Sequence, residues 1–194
     1  SAEGSIVQVD IYGTVIFNGT AGQPLASVTV GQTARTSFTV DSTVFVDSIP
    51  GDVRAYDIMP ASFSLSFSGG ASVGLLPGPA FFGIRDGDPV ADGFFVSDST
   101  VSIGGVALSQ APYREDFHNS YVGSTLSSVD ILSAVGTYDF NGLTVFGYTL
   151  WQAFPDNVRM NIDFTHMTIA VVPAPATLFA FAPLCFGMHR RRRG

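Results

Sequence analysis

Apolar and polar residues alternate with a period of two along much of this chain. Ser62 to Ser68 shows the pattern without a break: Phe63, Leu65 and Phe67 fall on one face, Ser62, Ser64, Ser66 and Ser68 on the other. Successive side chains of a strand point to opposite faces, so this is the signature of a half-buried strand. Val158 to Val172 repeats it, with Met160, Ile162 and Phe164 set against Asn161, Asp163 and Thr165. Ile6 to Phe17 predicts a long first strand that carries Gly13. Ser27 to Val30, Ala34 to Val40 and Val44 to Val46 follow, separated by Gly31-Gln32 and Asp41-Ser42. Phe81 to Ile84, Gly93 to Val96 and Thr100 to Ile103 are short strands split by Gly- and Asp-rich turns. Val135 to Phe140 and Leu143 to Trp151 flank Asn141-Gly142, the dipeptide of a type I′ hairpin turn. Ser127 to Ala134 is the single segment that suggests a short helix.

Many short strands with frequent turn signals predict an all-β chain: an antiparallel β-sandwich of jelly-roll type. Its 17 phenylalanines suffice to fill the space between two layers. The length of 194 residues fits one domain, residues 1–171, followed by a short C-terminal hydrophobic segment within a tail, residues 172–194. Ser1-Ala2-Glu3-Gly4 reads as a mature start after removal of a signal peptide.

Charge narrows the range of partners. The chain has no lysine. Four of its nine basic residues are Arg190 to Arg193, so the body sets five arginines against 16 acidic residues. Such a body repels nucleic acid and anionic lipid. Fourteen of the acids are Asp, a turn former. The one cysteine, Cys185, sits in the tail, so the body has no disulfide, Cys-based metal site or thiol nucleophile.

The candidate chemistry is sparse. Asp86-Gly87-Asp88-Pro89-Val90-Ala91-Asp92-Gly93 groups three carboxylates that suit either a tight turn or a Ca²⁺ loop. The bidentate Glu of an EF-hand is missing. Arg114-Glu115-Asp116-Phe117-His118 is the densest titratable cluster. It reads as a solvated loop after Pro112; the alternative is His118 as a base oriented by Glu115 or Asp116, with a distant serine. No Gly-x-Ser-x-Gly elbow accompanies it. His166 falls in the last alternating strand and reads as a surface or inter-strand residue. Tyr148, Trp151 and Phe154 form either core or an aromatic platform for a sugar ring. No phosphate-binding glycine loop is present. No cofactor is expected, and the chain reads as a non-enzyme.

The tail is more specific. Val172-Pro173-Ala174-Pro175-Ala176-Thr177 is an extended, proline-stiffened spacer. Leu178 to Met188 is uncharged and shorter than the roughly 20 apolar residues of a spanning helix. His189 and Arg190, Arg191, Arg192 and Arg193 form a basic stop that favours the cytoplasmic side. These three ordered elements resemble the PEP-CTERM sorting signal of bacterial exported proteins. Pro173, Ala174 and Pro175 match its motif, with Ala174 where Glu is usual. Leu178 to Met188 match its apolar segment, and Arg190 to Arg193 its arginine cluster. Ile11-Tyr12-Gly13-Thr14-Val15, Val28-Thr29-Val30-Gly31-Gln32, Thr36-Ser37-Phe38-Thr39-Val40-Asp41 and Asp92-Gly93-Phe94 are also similar to segments of the β-sandwich cargo domains that carry such tails. The resemblance implies export and a transient inner-membrane tether. It further implies processing by an exosortase-type membrane enzyme and delivery to the cell envelope or extracellular matrix. The expected role is that of a structural or surface protein in contact with extracellular polysaccharide. The alternative is a carbohydrate-binding module or glycan-active protein, Ca²⁺-dependent through the Asp86 loop.

Overall fold

The computed structural model describes residues 4–20, 25–75, 78–87, 91–96, 114–115, 117–141, 143, 145–146, 150–151 and 159–173. Among the described residues thirteen strands form one antiparallel sheet: β1 Ile6–Asn18, β2 Thr33–Ile49, β3 Val53–Ile58, β4 Ser64–Phe67, β5 Ser72–Val73, β6 Phe81–Gly87 and β7 Ala91–Val96, then β8 Arg114–Glu115, β9 Phe117–Asn119, β10 Gly136–Asp139, β11 Val145–Phe146, β12 Leu150–Trp151 and β13 Arg159–Val171. The strand order is β11-β9-β7-β6-β3-β2-β1-β13-β12-β8, with β10 added to β13 and the β4–β5 pair added to β2. The all-β antiparallel expectation is correct. Thr100 to Ile103, Asp88, Tyr148, Phe154 and the tail beyond Pro173 lie outside the described residues.

The sheet is strongly curled. Five strands separate β9 from β13 in the order of hydrogen bonding. Neighbouring strands lie about 4.8 Å apart, so a flat sheet would hold these two some tens of ångströms from each other. Instead the Phe117 and Phe164 rings meet edge to face with centroids 5.1 Å apart. Phe94 of β7 likewise meets Tyr138 of β10 at 4.6 Å. The two faces thus oppose each other across one core, as in a sandwich. Val7, Val9, Ile11 and Val15 of β1 are fully buried on one side, and Tyr56, Phe82, Ile84 and Phe117 on the other.

The alternation predicted for β13 is present: Met160, Ile162 and Phe164 are buried, while Asp163 and Thr165 are exposed. Then the phase changes, and Met167 and Ile169 are the buried residues. A bulge explains the change. Tyr12 pairs with His166 and Gly13 with Phe164, so Thr165 is the extra residue. Gly13 permits the close approach, since a Cβ there would lie 2.5 Å from Ile162 Cγ2 and 2.6 Å from the Asp163 carbonyl oxygen.

Four expectations are corrected. Ala34 to Val40 and Val44 to Val46 are one strand, β2, which runs on through Asp41-Ser42. Ser27 to Val30 is not a strand; a 3-10 turn at Leu25–Ser27 leads into a loop. The chain turns at Asn141, with Leu143 N–H donating to the Phe140 carbonyl at 3.1 Å. Among the described residues its flanks do not pair with each other: β10 joins β13, and β11 joins β9. Tertiary pairing overrides the local hairpin signal. Finally, Ser127 to Ala134 makes bends and one turn, not a helix. Ser128 Oγ accepts the Asp130 N–H at 2.9 Å and Asp130 Oδ1 accepts the Leu132 N–H at 3.1 Å. These side chains compete for the donors a helix would need. Tyr56 holds the turn from across the core: its hydroxyl donates to the Val129 carbonyl and accepts from Ile131 N–H, both at 2.9 Å.

The tyrosines make the fold sensitive to alkali. Burial pushes the phenols of Tyr56 and Tyr138 up, and burial together with Tyr138 and Asp139 pushes Tyr121 up to about 12. In the unfolded chain a tyrosine titrates near about 10. Above that pH the unfolded state releases protons that the folded state retains, so the stabilisation present below pH ~10 is lost as pH rises toward 12. The expected result is cooperative loss of β-structure between pH ~10 and 12, followed by circular dichroism beside tyrosinate absorbance. Titration of every tyrosine near pH ~10 with the fold intact would contradict it.

Candidate functional site

Of the Asp86–Gly93 segment, Asp86 stands opposite Asp92 and Gly87 opposite Ala91 in the antiparallel pair β6–β7, and residues 88–90 lie outside the described residues. Asp92 is fully buried, and its Oδ2 accepts the N–H groups of Thr125 and Leu126 at 2.5 and 2.6 Å. That oxygen is therefore committed to the 120–126 loop. Asn119, also buried, accepts the Phe94 N–H at 2.8 Å. The Asp92 Oδ1 and Asn119 Nδ2 atoms are buried, with no hydrogen-bond partner among the described residues. Among the described residues no group of three or more His, Cys, Asp or Glu is placed to hold a metal ion.

The Arg114–His118 cluster is not a solvated loop. Arg114 and Glu115 form β8, paired to β12, while His118 lies in β9 between Phe95 and Phe146. Asp116 and the side chains of Arg114 and Glu115 lie outside the described residues. His118 meets Ser120, whose Oγ is 3.4 Å from Nε2. Arg85 Nη2 donates to the same hydroxyl at 2.6 Å. Burial first, and the Arg85 charge second, depress the His118 pKa. The hydroxyl accepts from the guanidinium and keeps its own O–H for a second partner.

Trp151 is a strand residue, its backbone opposite Arg159 and Arg114. His166 lies between strands, as its pattern predicts. Its ring stacks on Tyr12 with centroids 4.6 Å apart and planes 9° from parallel.

That stack is part of a feature the sequence alone does not reveal. His166 of β13 is opposite Tyr12 of β1, Tyr12 is opposite Arg35 of β2, and Arg35 is opposite Ser66 of β4. A row of imidazole, phenol, guanidinium and hydroxyl crosses four strands on the outer face. The Arg35 guanidinium lies 5.7 Å from the Tyr12 ring centre and 2.9 Å from Asp10. The Asp10 carboxylate holds Arg35 firmly protonated. A groove of about 280 Å³ beside the row is lined by Tyr12, Arg35, Ser66 and Ser68. Ring edges, a fixed cation and hydroxyls together suit a hydroxyl-rich ligand such as a glycan. No spacing rule joins residues 12, 35, 66 and 166; only the strand register does.

The Pro173-Ala174-Pro175 segment begins where β13 ends. Val172 N–H donates to the Ile6 carbonyl at 2.8 Å, and Val171, Val172 and Pro173 are exposed. Ala174 and Pro175, Leu178 to Met188, and Arg190 to Arg193 lie outside the described residues. Among the described residues no helix is long and apolar enough to cross a membrane. No protein-family model, curated protein or solved structure matches this chain.

Proposed function

We propose that this chain is an exported, non-enzymatic structural protein of the cell envelope or extracellular matrix, delivered by its C-terminal sorting tail. The observation that carries the reading is the order of the tail: Pro173-Ala174-Pro175, an uncharged run and four arginines. The exposed exit of β13 at Val171 to Pro173 supports it, because a membrane enzyme needs an accessible, extended segment to grip. An exosortase-type processing enzyme is the expected partner, and the membrane is engaged through Leu178 to Met188. The acidic body makes nucleic acid a poor partner. The Tyr12–Arg35 row favours contact with extracellular polysaccharide, which matches delivery to the matrix.

Fractionation of the native host tests this. The full chain is expected in the envelope or extracellular fraction, and a chain ending at Val172 is expected to lose envelope attachment. Recovery of both forms in the cytoplasm would refute the proposal.

A further inference from the structure

The β2 strand outruns its neighbour. β1 covers it only as far as Asp41, where Ser42 N–H donates to the Ser5 carbonyl and Ser5 N–H to Ser42 Oγ. Beyond that point β2 continues to Ile49, paired on its other side with β3. Among the described residues no strand pairs with the β1-side edge of this extension. Thr43 N–H is taken by Asp41 Oδ1 at 2.8 Å, so among the described residues the open edge begins at Val44.

The edge is apolar on both faces. Val44, Phe45, Val46 and Ile49 are 45, 38, 57 and 52% exposed. Exposed edges are normally blunted by lysine, proline or an unpaired charge. The chain has no lysine, and no proline falls between Asp41 and Ile49. The single charge from Val44 to Ile49, Asp47, is neutralised by Arg54 at 2.6 Å. In a body with a large acidic excess, this strand is a locally neutral place for two copies to approach.

We infer that Val44–Ser48 is a self-association edge, on which a second copy of this chain adds its own Val44–Ser48 antiparallel about a twofold axis at Val46. The register follows from charge and size. Pairing about Val46 sets Val46 against Val46 and Val44 against Ser48. It also sets Asp47 of each copy opposite Phe45 of the other. Arg54 already covers Phe45, its guanidinium 3.8 Å from the ring centre. Each Arg54 then lies beside two carboxylates, its own Asp47 and the incoming one. Moving the axis to Asp47 would place the two carboxylates directly opposite each other, which is unfavourable. A strand this short gives a small interface, at the weak end of specific association. Its effect grows when copies are held close together, as they would be on a membrane; that step alone rests on the proposed tail function.

The test uses the full chain in detergent with Cys185→Ser, so that one introduced thiol is the only one. Val46→Cys is expected to form a disulfide-linked dimer on mild oxidation, because residues opposite each other on paired strands lie within disulfide reach. Val122→Cys, at a loop position that is 94% exposed, is the control and is expected to stay monomeric. In sedimentation, Val46→Lys is expected to weaken dimerisation at least tenfold with an unchanged circular dichroism spectrum. Equal cross-linking of the two cysteine variants, or a dimer indifferent to Val46→Lys, would overturn the inference. Neither readout depends on export or processing, so failure here leaves the proposed function standing.

Discussion

Replacing Asp92 by alanine is expected to lower the stability of the body by about 3–5 kcal/mol, among the largest effects of any single side chain. The carboxylate lies at the start of β7, fully buried, and accepts two backbone N–H groups of the 120–126 loop. Hydrogen bonds to a charged group contribute about 1.5–3 kcal/mol each, and a buried donor left unpaired costs about as much. Asp92 and Tyr121 also exchange backbone hydrogen bonds, at 2.8 and 3.2 Å, so the loop is sewn to β7 at several points. Asp92→Asn retains one acceptor oxygen and loses the charge, so its cost is expected at about half. Denaturant midpoints at constant m-value measure both. A loss below about 1 kcal/mol for Asp92→Ala would mean that the loop is held by its backbone contacts alone.

Gly93→Ala is the second large effect, and it comes from crowding instead of lost bonding. Gly93 sits where β9 crosses close to β7, and a Cβ there would overlap the Asn119 carbonyl oxygen. The obstacle is backbone, so no side-chain rotation relieves it. Overpacking typically costs about 1–3 kcal/mol, and the upper end is expected here. The displaced strand also carries the Asn119 side chain that accepts the Phe94 N–H. Thermal midpoints of Gly93→Ala and of Gly51→Ala separate this clash from backbone strain. Gly51 has a positive φ of 87° but open space around its missing Cβ, so its cost is backbone strain alone, of about 1 kcal/mol. A smaller loss at Gly93 than at Gly51 would contradict the packing account.

The strands that could be read from the sequence are those whose two faces meet different surroundings. Ser64–Phe67 and Arg159–Val171 each bury one face, so residue polarity follows position. The bulge at Thr165 was not legible, because Met167 and Ile169 only gain meaning once Gly13 is seen across from them. The turn at Asn141 was legible, yet its two flanks serve different strands, and local chemistry does not specify which partner a strand selects. Ser127 to Ala134 lost its helix to Ser128, Asp130 and the distant Tyr56 hydroxyl. Asp92 looked like one more turn acid in a Gly-Asp-Pro run; its amide partners lie 33 and 34 residues away. The His166–Tyr12–Arg35 row was invisible for the same reason. The tail reading rests on the linear order of Pro173-Ala174-Pro175, an uncharged run and four arginines, a pattern that needs no folded partner to be read.

The tail and the body divide the work in this account. The body is a curled antiparallel sheet with its core closed by aromatic residues, and the tail is proposed to supply the address. The most direct test is the intact mass of the protein recovered from the envelope and extracellular fractions of its native host. Sorting predicts a chain that ends near Pro175, having lost the apolar run and Arg190 to Arg193. A chain that still ends at Gly194 and remains in the inner membrane would contradict it, and would make the tail a permanent anchor.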